Sequence, residues 1–434
     1  MNGNKYTDLI ESWFLDQTIN HTWRSITLSL LTTILMASGA KYLKTDDDMM
    51  KMLPRELESK LAWDAIQEEF GNTEIIYLAF GNNDSKALST KTLGHLWELT
   101  DELGKLPSVN NVINLSTTSR IDHSDGLLEF KPLQSSKIVD NEDLEEIRIY
   151  LKKNPKLKKQ LISNNYDFLL TIVQPNENVG LDLFRNEIVS VADSILQEYK
   201  IYYAGTAYIT GSFPELIKTD ITSLLKAGVI IMVIILLINL RSVVAVFLVL
   251  VLISLSLASM IGFMGWAYKI SGHNYFLFAL VNTSMPIILL TIANSDGVHV
   301  ITKFFRELRK TEDKIDAVRN TMGSLFKPIF ITSITSIAAF LTLAFSPLDS
   351  LVGYGICLSV GIGWAWFLSS LLLPSLIILI KWNNESHAIK KPSIFENMVY
   401  GFSKVVLEFP KYVLLLGFVI VFLGFRGLHK IDVD

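Results

Sequence analysis

The amino-acid sequence predicts a polytopic α-helical membrane protein of about seven transmembrane helices, with an α+β domain between the first and second helices. Three observations predict this class. Of the 434 residues, 50% are hydrophobic and 19% are charged, whereas soluble proteins carry about 25% charged residues. The mean hydropathy is +0.35. The apolar residues are also concentrated near the N-terminus and after position 220.

Seven segments meet or approach the length of about 20 mostly apolar residues that a membrane-spanning helix needs. They are residues 25–43, 221–240, 243–267, 276–301, 328–346, 351–380 and 410–427. The first is rich in Ser and Thr, so a signal peptide is the alternative for it. However, 24 residues precede it, and only Lys5 and Arg24 among them are basic. This pattern favours an uncleaved anchor.

The basic residues predict the orientation. The loop 303–327 contains seven basic and four acidic residues, and the linker 381–411 contains five Lys and three Glu. The intervening turns 268–275 and 347–350 hold only one Lys and one Asp. Because cytoplasmic loops carry an excess of Lys and Arg, both basic segments are expected in the cytoplasm.

The chain is therefore expected to contain six parts in order. They are a cytoplasmic N-terminus (1–24), a first helix (25–43), an outer domain (44–220), a bundle of five helices (221–380), a cytoplasmic amphipathic linker (381–409) and a seventh helix with the residues that follow it (410–434).

The outer domain alternates strand-like and helix-like segments. Strands are predicted over 74–81, 109–116, 167–174 and 200–209, and helices over 89–106, 141–162 and 181–198. Two β-α-β units in tandem indicate a ferredoxin-like α+β sandwich. An unrelated α/β domain with similar periodicity remains the alternative.

The two ends of the apolar pattern resemble each other. The first helix is followed by Lys44-Thr45-Asp46-Asp47-Asp48, and the seventh by Lys430-Ile431-Asp432-Val433-Asp434. Together with the shared outward direction, this predicts that the seventh helix begins a second copy of the unit. The expected partner is then a missing C-terminal half or a second subunit, and a homo-oligomer is one form of the latter.

Asp296 is the only acidic residue inside the apolar spans. A carboxylate at membrane depth costs several kcal/mol unless it is paired, protonated or hydrated, which makes it a functional candidate. Asn294 is close in sequence, and His299 lies three residues further on the same helical face. We therefore predict a site that takes up and releases a proton. The alternative is that the fourth helix ends near residue 294 and Asp296 caps the next one.

The fifth helix contributes hydroxyl side chains to the same prediction. Thr332 and Thr335 are the candidates for the proton relay, and small hydroxyl residues at this spacing also permit close helix packing. Lys226 is a conceivable partner for Asp296, but it more plausibly extends to the membrane interface. The sequence contains no phosphate-binding loop, paired catalytic carboxylates or metal-spaced histidines, and Cys357 is its one cysteine. We therefore predict no enzyme activity, no cofactor and no metal site. A formal net charge of −4 gives no reason to expect nucleic acid as a partner.

Two motifs and the overall layout resemble the RND superfamily, in particular the MMPL-like predicted exporters related to Patched and Dispatched. The first motif is IANSDGVHVITKFFREL (292–308), which is similar to the family's fourth-helix signature. The second is the stretch 323–380, with Pro328, Thr332 and Thr335 at family-like positions. The resemblance covers nearly the whole chain.

The resemblance implies export of a hydrophobic or amphiphilic, lipid-like molecule across a bacterial inner membrane, driven by the proton-motive force. Asp296 would be the proton-relay carboxylate, and Arg306 and Glu307 would form the cytoplasmic end of the motif. The large domain would lie in the periplasm. Gly297 departs from the pattern, because many members have Tyr or a second Asp there. The helix that completes the relay in full-length members is also absent from this chain.

Two other functions remain open. The second to sixth helices also resemble a sterol-sensing domain, which implies a lipid receptor that does not pump. A SecDF-like accessory that uses protons to assist protein secretion shares the broad layout.

Overall fold

The computed structural model describes residues 3–45, 53–54, 56–70, 74–82, 87–124, 127–176, 179–383, 385–391 and 394–428. The described chain is mostly helical and has two hydrophobic cores. One lies inside the outer α+β domain and the other inside the helical bundle.

The chain begins with two helices that pack on the bundle. Helix α1 spans Gly3–Asn20, and α2 spans Thr22–Ala37 and continues as a 3₁₀ turn. The aromatic ring of Phe14 in α1 packs against Phe326 and Trp366. Three of the Ser and Thr residues that make α2 polar, Ser25, Ser29 and Thr33, face inward. The Thr33 hydroxyl, for example, accepts a 3.0 Å hydrogen bond from the Trp364 indole.

The described part of the outer domain contains six helices and six strands. Its elements are α3 (Glu58–Phe70), β1 (Ile76–Gly81), α4 (Thr90–Gly104), β2 (Val109–Ile113), β3 (Ser119–Ser124), β4 (Leu127–Pro132), α5 (Asn141–Lys153), α6 (Pro155–Leu161), β5 (Phe168–Pro175), α7 (Leu181–Ile195), β6 (Lys200–Ala204) and α8 (Thr206–Gly211). The four strands of the main sheet lie in the order β2-β5-β1-β6, and all neighbours are antiparallel. Strands β3 and β4 form a separate hairpin.

Local sequence signals set the ends of these elements. The Ser89 side chain caps α4 by accepting from the Thr92 N–H, and Asp140 forms a capping box at the start of α5. The predicted helix 141–162 divides at Asn154 because Pro155 cannot continue a hydrogen-bonded helix but is favoured at a helix start. The predicted strand 200–209 ends at Ala204, and α8 follows it.

The bundle and the C-terminal helices complete the chain. They are α9 (Phe213–Leu240), α10 (Val243–Ser271), α11 (Met285–Thr311), α12 (Lys314–Leu341), α13 (Asp349–Phe367), a π-helical turn (Leu368–Leu372), α14 (Leu373–Leu379), α15 (His387–Lys390), α16 (Ile394–Glu408) and α17 (Pro410–Leu428).

Within the described residues, six helices are long and apolar enough to cross a membrane. They span Thr206–Leu240, Val243–Ser271, Leu280–Thr311, Lys314–Phe345, Asp349–Leu379 and Pro410–Gly427. The predicted first span, 25–43, is not among them, although it is helical as far as Tyr42 and packs on α10. Its Ser and Thr residues lower its hydropathy. The protein is thus a polytopic helical membrane protein with about six such helices.

The prediction of a loop over 303–327 is wrong. Helix α11 continues to Thr311, and α12 begins at Lys314. The Asp313 side chain caps α12 by accepting a 2.9 Å hydrogen bond from the Asp316 N–H. Both helices therefore extend beyond their apolar segments, and the turn between them is only two residues long. The predicted repeat motifs after the first and seventh helices lie largely outside the described residues.

Candidate functional site

A polar cavity of about 400 Å³ lies between α11 and α12. Its lining is contributed by residues spaced three or four apart, so that each helix presents one face to it. The lining residues are Thr291, Ile292, Ser295, Asp296 and His299 from α11, and Leu325, Pro328, Ile329, Thr332, Ser333 and Ser336 from α12.

Asp296 lies in the wall of this cavity and is only 6% exposed. Its Oδ2 atom is buried and has no hydrogen-bond partner. Helix α11 runs unbroken from Met285 to Thr311. The alternative in which Asp296 caps a new helix is therefore wrong, because its backbone lies in the middle of a continuous helix.

Ser333 is the second polar group of the cavity that lacks a partner. It is 3% exposed, and its hydroxyl makes no hydrogen bond. The polar groups of the α12 wall are the hydroxyls of Thr332, Ser333 and Ser336, and no Lys or Arg lines the cavity.

The cavity includes only part of the predicted relay. His299 and Thr332 line it together with Asp296. Asn294 does not, because two residues along a helix correspond to about 200° of rotation. Its Oδ1 atom is buried elsewhere without a partner. Thr335 is exposed outside the cavity, and its hydroxyl donates to the backbone carbonyls of α12 one turn earlier.

Ser333 and Ser336 belong to the hydroxyl surface predicted on the fifth helix but are not among the residues predicted for the proton relay, and both line the cavity. The sequence contains a signal that identifies them. Pro328, Ile329, Thr332, Ser333 and Ser336 follow the i, i+3, i+4 periodicity of one helical face. The choice of face, however, depends on which helix packs against α12.

Arg306 and Glu307, the predicted cytoplasmic end of the motif, follow the cavity residues along α11. Arg306 is exposed. Glu307 is buried between two lysines on the same helix, with its carboxylate 3.2 Å from the Lys303 ammonium and 3.0 Å from the Lys310 ammonium. Lys226 is exposed on α9 and does not line the cavity.

A second, apolar cavity of about 340 Å³ lies between the first half of α9 and the rest of the bundle, whereas Met232, Leu236 and Leu240 further along α9 are buried in the bundle core. Its α9 wall contains Pro214, Lys218, Ile221, Thr222 and Leu225. The opposite wall contains Leu43, Thr45, Ile261, Phe278 and Pro286. Since Lys218 is the one charged residue of the lining, the cavity suits an apolar group.

Comparison with known proteins places these features in a family context. The family model described as MMPL family matches residues 51–399. A protein of Methanocaldococcus jannaschii named "Putative membrane protein MJ1562" is 20% identical over 366 residues. The aligned part covers 81% of this chain and 88% of that protein, so the two chains have similar lengths.

Proposed function

Because this chain belongs to the MMPL family of the RND superfamily, whose members are transporters, we propose that it exports a hydrophobic or amphiphilic, lipid-like molecule at the expense of the proton-motive force. The observation that carries the proposal is Asp296, a buried carboxylate without a partner in the wall of a polar cavity.

The energetics support a proton as the coupling ion. An ionised Asp at the centre of a membrane helix costs about 3 kcal/mol on insertion scales, and protonation removes that cost. One proton that crosses 100 mV supplies about 2.3 kcal/mol, and each unit of pH gradient adds about 1.4 kcal/mol. The driving force and the cost of the buried charge are therefore comparable.

In this proposal the cavity residues have separate roles. Asp296 carries the proton. His299 and the hydroxyl of Thr332 conduct it, since both line the same space as the carboxylate. Asn294 and Thr335 lie outside the cavity, so any part they play in the relay is indirect. Protonation lets α11 and α12 shift relative to each other, and this shift moves the outer domain.

The cargo is proposed to enter beside α9. The apolar cavity opens there at the outer end of the bundle, where lipid tails are available. We also propose that the outer domain is ferredoxin-like and lies in the periplasm. Its β-α-β-β-α-β order and the antiparallel sheet β2-β5-β1-β6 support the first point, and the basic segments 303–327 and 381–411 support the second.

A partner is proposed to cover the exposed side of the polar cavity. Thr291, Ser295 and His299 are exposed there at membrane depth, and polar side chains at this depth normally face protein or water. Helix α17 has no buried residue in its described part. Either a C-terminal half or a second subunit would cover both the exposed side of the polar cavity and the surface of α17.

The apolar cavity also favours a second candidate, a lipid receptor that does not pump. The two functions differ in whether cargo movement depends on the proton gradient. Saturable lipid binding with no effect of the gradient would support the receptor.

The deciding experiment uses the Asp296→Asn variant of the full chain with its partner, in phosphatidylethanolamine–phosphatidylglycerol vesicles with a pH-sensitive dye inside. A fluorescent phosphatidylethanolamine serves as the probe cargo. We expect the wild-type protein to couple probe movement to proton flux, and the variant to lose both. Asp316→Asn, at an exposed acid of α12, is the matched control. Undiminished coupling in Asp296→Asn would exclude the relay.

A further inference from the structure

Lys269 lies at the level of the lipid headgroups. It is the one charged residue of α10, and Arg241 precedes the same helix at its other end. Along a helix axis, the two residues are about 42 Å apart. A bilayer with its headgroup regions is about 40–45 Å thick. Because α9 leaves the outer domain and α10 runs back toward it, Lys269 is at the headgroup level next to that domain.

The end of α2 touches α10 at backbone distance. A Cβ atom added to Gly39 would lie 2.1 Å from the carbonyl oxygen of Gly262 and 2.3 Å from the ring of Trp266. The Trp266 indole N–H donates 3.2 Å hydrogen bonds to the Leu35 carbonyl and to the Ser38 hydroxyl. These contacts fix the 3₁₀ turn at the end of α2 against the last turns of α10. We call this contact the α2–α10 joint.

Three exposed lysines meet over aromatic rings at the α2–α10 joint. The ammonium groups of Lys41 and Lys269 lie 4.9 Å and 5.6 Å from the ring centroid of Tyr42. The ammonium group of Lys44 lies 5.3 Å from the ring centroid of Tyr268. Within the described part of the chain, none of these ammonium groups pairs with a carboxylate. The joint therefore presents positive charge among the aromatic residues that are enriched at membrane interfaces.

An apolar surface continues from the joint along α2. Leu28, Leu31, Ile34 and Leu35 are between 46% and 66% exposed, and they recur at the three- and four-residue spacing of one side of a helix. Leu35 connects this surface to the joint, because its carbonyl accepts the Trp266 indole N–H. Positive charge at headgroup depth is thus followed by exposed apolar side chains toward the membrane centre.

We propose that the α2–α10 joint binds an anionic glycerophospholipid from the leaflet next to the outer domain. Its phosphate group lies between Lys41 and Lys269, and its acyl chains follow the exposed side of α2. A zwitterionic headgroup brings its own cation to the lysines, so an anionic headgroup is favoured. A free anion in solution would leave the apolar surface uncovered. The bound lipid holds α2, which is not apolar enough to count among the membrane spans, against α10.

The lipid site is separate from the transport proposal. Lys41, Lys44 and Lys269 line neither the polar cavity nor the apolar cavity. The site requires only that α2 and α10 lie in a membrane. Its test therefore gives the same answer whether or not Asp296 carries a proton.

A photoactivatable lipid tests the site on the full chain. The probe is a phosphatidylglycerol with a diazirine in one acyl chain, at a low mole fraction in phosphatidylcholine nanodiscs. Mass spectrometry of the crosslinked protein maps the labelled peptides. We expect the probe to label the segment of α2 that contains Leu31 and Leu35. A phosphatidylcholine with the same diazirine should label it weakly, and millimolar inorganic phosphate should not reduce the labelling by phosphatidylglycerol.

Removal of the positive charge should weaken this labelling. One lysine near an anionic lipid surface contributes about fivefold in affinity. Lys41→Gln and Lys269→Gln should therefore each lower the labelling of α2 about fivefold, and the double variant about 25-fold. Replacement of both lysines by Arg should preserve the labelling, because Arg keeps the charge. Lys200→Gln, at an exposed position of β6 in the outer domain, is the matched control and should have no effect.

Three results would overturn the lipid site. They are equal labelling of α2 by the two probes, unchanged labelling in the double Gln variant, and loss of labelling when inorganic phosphate is added. The last result would show that the lysines bind a free anion rather than a lipid. If the double Gln variant fails to fold, the two single variants and the comparison of the probes on the wild-type protein decide the point.

Discussion

Asp296 and Glu307 are buried acids on the same helix in opposite environments. The Glu307 carboxylate has an ammonium group on either side, at 3.2 Å and 3.0 Å. Asp296 Oδ2 has no hydrogen-bond partner. A buried carboxylate between two cations is stable when ionised, whereas one without a partner is stable only when it is neutral or hydrated. Helix α11 thus carries one acid suited to structure and one suited to a change of charge.

The Ser333 hydroxyl is expected to set the pH range of transport. Ser333 lines the same cavity as Asp296, so Ser333→Ala removes a hydroxyl that is available to donate to the carboxylate when it is ionised, and the neutral form is favoured. A contribution of about 1 kcal/mol corresponds to a shift of about 0.7 pH units toward higher pH. The measurement is the pH of half-maximal proton flux in vesicles. Thr335→Ala, at an exposed position on the same helix, is the control, and equal shifts in the two variants would contradict the assignment.

Glu307 is expected to stabilise the C-terminal end of α11. Its side chain is 9% exposed, whereas Asp316, which pairs with Arg319, is 54% exposed. Glu307→Gln should lower the free energy of unfolding by about 2 kcal/mol, because two lysines lose their buried partner. Asp316→Asn should cost at most about 1 kcal/mol. Thermal unfolding in detergent compares them, and similar losses would refute the difference in burial.

At the scale of elements, α2 belongs to the bundle despite its modest hydropathy. A Cβ atom on Gly262 of α10 would lie 2.1 Å from the carbonyl oxygen of Met36 in α2. The two helices therefore touch at backbone distance, as small residues allow in membranes. This contact holds α2 in place more than its apolar character does.

Gly262→Leu is expected to separate α2 from α10. The added side chain has no space, and overpacking of this kind costs about 1–3 kcal/mol or more. The variant should lose its sharp thermal transition in detergent. Gly228→Leu, at a position of α9 with no atom within 4 Å of an added Cβ, should behave like the wild-type protein. Equal stability of the two variants would show that α2 does not pack in this way.

At the scale of the whole molecule, two of the membrane helices keep most of their apolar surface exposed. No residue in the most apolar stretch of α17 is buried, and only 11% of that of α12 is. Among the described elements, the one extensive contact of helix α17 is with α16. The bundle core is therefore formed without the last helix.

Removal of residues 394–434 is expected to leave the bundle folded but to weaken its association with a partner. The unfolding temperature should change little, since the bundle loses no buried side chain of α17. The molar mass in detergent, measured by light scattering, should fall toward that of a single chain. A large loss of stability would show that α17 packs on the bundle, and an unchanged assembly would show that it takes no part in the partner contact.

The sequence alone determined the class of the protein and the apolar segments of the five membrane helices that precede α17. It also singled out Asp296 as the residue of interest. These features depend on hydropathy and on the cost of a charge in hydrocarbon, which are local properties. It failed at the C-terminal end of α11 and the N-terminal end of α12, because their charged residues resemble a loop in composition although capping makes them helical.

Only the tertiary structure decided which side chains share the cavity. Asn294 lies two residues from Asp296, and Thr335 lies two residues from Ser333. Both nevertheless point away from the space between α11 and α12. The spacing of residues in the sequence shows which of them share a face of one helix. Which faces of two helices meet depends on how the helices pack, and the sequence of one helix does not specify that.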